Sequence, residues 1–155
     1  MADGLYEVDA LAWGELQASL LSRLAAGERV NEAIDWSNVI EEIRDVGLSE
    51  LHACESLLTQ AMLHLLKLHA SSGNPAAPHW RGETAAFLSG VRRRFSPSMR
   101  QRIDIDELYA DAIHQVPSSF DDATELRPLP ERCPFTLIEL VAKQPDIAVL
   151  IAKLS

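Results

Sequence analysis

The stretch DWSNVIEEIRDVGLSELHACESLLTQAMLHLLKLH, from Asp35 to His69, holds no proline and returns an apolar side chain every three or four positions. That period belongs to a long amphipathic α-helix. Ile40, Ile43, Gly47, Glu50, Cys54, Leu57, Ala61, His64 and Leu68 step along one seam, flanked by Val39, Val46, Leu51, Leu58, Met62 and Leu65. A repeat of roughly 3.5 residues suits packing in a bundle. Asp35 stands where an N-cap is needed, and Gly47 is the weak point, because a glycine inside a helix costs about 1 kcal/mol relative to alanine.

Working outward, Leu11, Trp13, Leu16, Leu20, Leu21 and Leu24 form a preceding helical stripe between Asp9 as N-cap and Gly27 as stop. The segment 28–34 is a short polar turn of the length that joins antiparallel helices. After Ala70, Ser71-Ser72-Gly73-Asn74-Pro75-Ala76-Ala77-Pro78 is loop chemistry. A third helix is expected from His79 or Trp80 through Phe95, and a fourth from Ser96-Pro97 to about Gln115, with a fresh start at Asp104 or Asp106. The last third predicts short helices only: one over 118–125, one after the capping box Thr136-Leu137-Ile138-Glu139, and one from Pro145-Asp146 to Leu154. No alternating strand pattern persists. The expected fold is therefore all-α, an antiparallel helical bundle built around one long central helix, in a single domain over residues 1–155.

The 155 residues are 47% hydrophobic and 24% charged, close to ordinary globular chains. No run reaches the roughly 18 apolar residues of a membrane span, and Met1-Ala2-Asp3-Gly4 lacks the basic-then-apolar order of a secretory signal. Cys54 and Cys133 have no disulfide or metal spacing. A cytoplasmic location is the expectation, with no membrane association. The net charge is −9, yet residues 81–102 carry six arginines against Glu83 alone, +5 locally and −14 elsewhere. Arg81, Arg92, Arg93, Arg94, Arg100 and Arg102 are thus the candidate anion or nucleic-acid contacts, because guanidinium groups grip phosphate oxygens in pairs. The acidic total disfavours that use and favours pairing within the protein.

Glu41, Glu42, His64 and Lys67 lie on or beside the seam and are the candidate functional polar residues. Along one straight helix Glu42 and His64 are separated by roughly 33 Å. They meet only if the helix breaks at Gly47 or across an antiparallel dimer. The plainer reading is a seam histidine with its hydrogen bonds made and a lysine reaching to solvent. The single carboxylate–imidazole pair Asp111/His114 is too little for a metal site, and no nucleophile or phosphate-loop signature is present. No metal, cofactor or catalytic residue is assigned.

Tyr6, Asp9 and Trp13, then Asp35, Glu41-Glu42-Ile43 and Gly47, then His64-Leu65-Leu66-Lys67, Trp80-Arg81, Pro97-Ser98, Tyr109 and Cys133-Pro134-Phe135-Thr136 form an ordered set. Together they resemble the bacterial family catalogued as domain of unknown function 29, from Tyr6 to about Val141, leaving 142–155 as a C-terminal extension. The resemblance implies an all-helical, bundle-like cytoplasmic fold with no settled activity. Where the family usually has a Gln-Arg pair before the basic run and a Trp after the lysine, this chain has Phe87-Leu88 and Leu68. The functional expectation is a non-enzymatic protein-interaction or regulatory module, self-associating through the long helix. The alternative is a nucleic-acid-binding module using the arginines.

Overall fold

The computed structural model describes residues 4–155, so Met1-Ala2-Asp3, read above as lacking the order of a secretory signal, lies outside the described residues. Seven helices and no strand occur among them: α1 (Leu5–Val8), α2 (Ala10–Ala25), α3 (Trp36–Ala70), α4 (Ala77–Arg94), α5 (Ile105–Gln115), α6 (Leu137–Leu140) and α7 (Ile147–Ala152). The fold is all-α. No described helix is long and apolar enough to cross a membrane. Two compact units share the chain, Met1–Leu48 and Ser49–Ser155.

The first unit is a helical hairpin. Asp9 accepts from the Ala12 N–H and starts α2, and Gly27, at φ 94°, ends it with the left-handed turn that glycine adopts without strain. Trp13, Leu20, Ile34 and Val39 make the core, with Leu5, Tyr6, Leu21, Leu24 and Val30 against it. Asp35 joins the two arms: its carboxylate accepts from the Asn38 amide and from the Trp13 indole, while its own N–H donates to Gln17 Oε1. These bonds, Asn38 first, hold its carboxyl below the usual 3.8. A depressed folded value gives stability that is present above the unfolded pKa and lost as pH falls through the folded one. The melting temperature should therefore drop on acidification below about pH 4. Asp35→Asn should flatten that limb, and an unchanged acid limb would contradict the assignment.

Several stripe residues expected inside are outside. Leu11 is 74% exposed and Leu16 42%, whereas the polar Gln17 is 2% exposed. The hairpin core needs only one narrow arc of α2, and Gln17 is drawn in by its bond to the Asp35 backbone. On α3, Ile40, Ile43 and Val46 are likewise exposed.

The helix runs unbroken through Gly47, where an added Cβ would meet no described atom within 4 Å. Gly47→Ala should then raise stability by about 0.5–1 kcal/mol, through helix propensity alone. Urea unfolding at low micromolar concentration measures it, and a loss of stability would contradict the open surroundings.

In the second unit, the rest of α3 packs against α4 and α5. Cys54, Leu58, Ala61, Met62, Leu65 and Leu66 are fully buried. Gly90 allows the close approach of α4, since a Cβ there would lie 3.1 Å from Leu57 Cδ1. Helix α4 starts at Ala77, with Pro78 in the first turn, two residues earlier than expected.

Two further expectations need correction. Ser96-Pro97 opens only a 3-10 turn, Pro97–Met99, without a side-chain cap. The helix proper waits for Asp104, whose carboxylate accepts from the Asp106 and Glu107 amides. Nor does a helix form over 118–125: only Pro117–Ser119 turns, and beyond Phe120 the chain follows Asp122, which accepts from the Thr124 amide and hydroxyl. Local side-chain bonds of this kind compete with helix formation. The capping box at Thr136 and Glu139 is complete and starts the expected short helix, α6, of four residues.

Candidate functional site

The polar residues of the sequence motif His64-Leu65-Leu66-Lys67 are engaged between α3 and α4. His64, 7% exposed, places Nδ1 2.8 Å from the Gln60 carbonyl and Nε2 2.8 Å from Glu83 Oε2. A carbonyl only accepts, so Nδ1 carries its hydrogen. The Nε2 contact then needs a further proton between ring and carboxylate. Phe87 lies 5.2 Å from the imidazole, centroid to centroid. On the other oxygen of Glu83 sits His79 Nε2 at 3.3 Å, one turn earlier on α4. His79, Glu83 and His64 thus run from solvent into the core.

Lys67 stands 4.5 Å from the centroid of the Trp80 ring, a cation–π contact. Burial lowers its pKa, with Glu83 acting in the opposite sense. The chemistry of the cluster is that of an inter-helix tie. Both imidazole nitrogens are occupied, and the ammonium is held over an aromatic face.

The other candidates fall elsewhere. Glu42 accepts from the Tyr6 hydroxyl at 2.5 Å, and that bond pushes the Tyr6 phenol up to about 12. Glu41 is exposed. Each of Glu42 and His64 has its own partner close to hand. Among the arginines, Arg94 donates to both oxygens of Glu50 at 3.0 Å, and Arg92 donates to the Lys143 carbonyl. Arg81, Arg93, Arg100 and Arg102 are exposed. No group of three or more His, Cys, Asp or Glu side chains among the described residues is arranged to hold a metal ion.

Sequence reading passed over two participants, Glu83 and His79. Their i, i+4 spacing was the available signal. What it could not supply was the helix across from them.

The other notable surface is apolar. Every residue from 41 to 47 is exposed, and within and beside that stretch Trp36 is 43% exposed, Ile40 52%, Ile43 68% and Val46 69%.

These features define an all-α protein with one long helix and a histidine–glutamate tie on that helix's C-terminal half. Residues 5–144 match the family described as domain of unknown function DUF29, and the chain belongs to that family. It is also similar to an α-helical protein of unknown function from Rhodospirillum rubrum ATCC 11170, solved by crystallography at 1.45 Å resolution. The identity is 25%, 96% of each chain is covered, and the TM-score is 0.73. No protein of curated function matches.

Proposed function

We propose that this DUF29 domain is a non-enzymatic protein-interaction module, and that its contact surface is the apolar stripe of Trp36, Ile40, Ile43 and Val46. The observation that carries the reading is the exposure of these four side chains along residues 36–46. Water-facing isoleucines that repeat at helical spacing form a contiguous apolar strip. Such strips mark interaction sites, whereas scattered single hydrophobes do not.

Affinity capture with the wild type and with Ile40→Asp and Ile43→Asp tests the proposal. Bound protein that is lost with both variants supports it. Identical recovery from all three baits sinks it.

The nucleic-acid reading keeps one favourable observation, the exposure of Arg81, Arg93, Arg100 and Arg102. A gel shift at low salt decides it. No retarded species with duplex or single-stranded probes removes that reading.

A further inference from the structure

We infer that the stripe on α3 is covered by a second copy of this chain. The two helices run antiparallel, so that Trp36 meets the partner's Gly47 and Ile40 meets the partner's Ile43. This rests on the interaction reading above and names its occupant.

Nothing in its own chain explains Gly47. Gly47 sits inside α3, where glycine is unfavourable, and a Cβ there would meet no described atom within 4 Å. Close packing within the chain is therefore not the reason for it. At 100° per residue, Trp36, Ile40, Ile43 and Gly47 fall within an arc of about 60° and span about 16 Å of helix. The order along the stripe is a large ring, two isoleucines and a gap.

A two-fold axis crossing between residues 41 and 42 turns that order onto itself. It sets the ring against the gap and isoleucine against isoleucine, as an isologous contact requires. The Trp36 indole N–H donates to the Asn31 carbonyl at 2.8 Å, which orients the exposed ring before any partner arrives. A pre-oriented aromatic is the residue type that anchors interfaces.

The acidic side chains of the segment lie away from this contact. Glu41 and Asp45 lie about 140° and 180° around the helix from Trp36, behind the contact, and Glu42 is held by Tyr6. Arg44, at about 80°, lies on the stripe's flank, and the two-fold sets it level with the partner's Val39, at the edge of the contact. The four exposed apolar side chains offer on the order of 400 Å² per copy, patch size for an interface. Doubled, that is about 800 Å² before the polar rim is added, the size of a weak, reversible interface.

Sedimentation equilibrium of the full chain, with thermal melts of the same samples, tests the inference. The wild type should be a concentration-dependent dimer. Ile43→Asp should weaken association at least 100-fold without loss of helix by circular dichroism, because Ile43 is exposed in the monomer. Gly47→Leu is the sharper variant. It should raise the melting temperature of the dilute monomer by a few degrees through helix propensity, and weaken dimerisation at least 10-fold by filling the gap.

A Gly47→Leu chain that dimerises as tightly as the wild type overturns the register and with it the inference. A wild type that stays monomeric at several hundred micromolar overturns the second copy as occupant. In that case the interaction reading still stands if the aspartate variants lose a captured protein, and falls with the inference if they do not.

Discussion

Trp80→Ala is expected to lower the free energy of unfolding by about 3–5 kcal/mol, the range for removing a buried aromatic side chain. Trp80 is 7% exposed and forms a buried cluster with Leu68 and Ala77, onto which Phe120, Ile147 and Ile151 pack. Its ring meets Phe120 edge to face at 5.7 Å and carries Lys67 above it. Truncation therefore leaves a cavity where α3, α4 and the C-terminal helix converge, and strips Lys67 of its aromatic partner. Trp80→Phe should recover much of the loss, because an aromatic face remains. Urea unfolding of both variants measures this, and an alanine variant within about 1 kcal/mol of the wild type would show that the cluster is not core.

Tyr109→Ala should cost about as much, roughly 3–5 kcal/mol. Tyr109 is 1% exposed, meets Phe135 at 6.2 Å and donates its hydroxyl to the Pro130 carbonyl at 2.7 Å. Tyr109→Phe separates the two contributions: the packing stays, the carbonyl loses its donor, and about 1–2 kcal/mol should go. Equal losses from the two variants would contradict that division.

The same burial pushes the phenol from its usual 10.0 up to about 12. A raised folded pKa contributes stability that is complete below pH 10 and is lost as pH rises through about 12. Tyr6 is raised to about 12 as well, by its bond to Glu42. Since these are the only two tyrosines, the native protein should develop no tyrosinate absorbance at pH 10, whereas the denatured chain does. Tyrosinate forming at pH 10 in a chain that remains folded would refute one placement at half amplitude and both at full amplitude.

Tyr109 and Phe135 also show what the ordered motifs of this chain mean. Read along the sequence, Tyr109 and Cys133-Pro134-Phe135-Thr136 are separate marks. In the fold they are one joint. The Cys133 thiol donates to the Phe135 carbonyl at 3.5 Å, and Phe135 in turn meets Tyr109. His64 and Lys67 belong to a similar joint with Glu83 and Trp80. In both joints the motif residues tie separate segments of the chain together.

Much of this architecture was legible before any coordinates. The bounds of α2 and α3, the caps at Asp9, Asp35, Asp104, Thr136 and Asp146, and the stop at Gly27 follow from contacts no more than about four residues apart, where the chain carries its own instructions. The errors cluster where local signals compete. Ser96-Pro97 looks like a helix start and yields one turn, while Asp122 draws its chain into a Thr124-bonded turn instead of a helix.

Tertiary structure alone decided which of the periodic apolar residues are inside. Leu58 and Ile43 obey the same 3.6-residue rule, yet one is fully buried and the other 68% exposed. Periodicity states which face of a helix is apolar, but burial depends on whether another element arrives to cover it, and that is set by residues far away in the sequence. The same holds for His64. Its place on the seam was written in the long helix, whereas its pairing with Glu83 required α4 to dock alongside. Helices are the product of short-range hydrogen bonds and spacing; the tie between them, and the stripe left bare, are the product of packing.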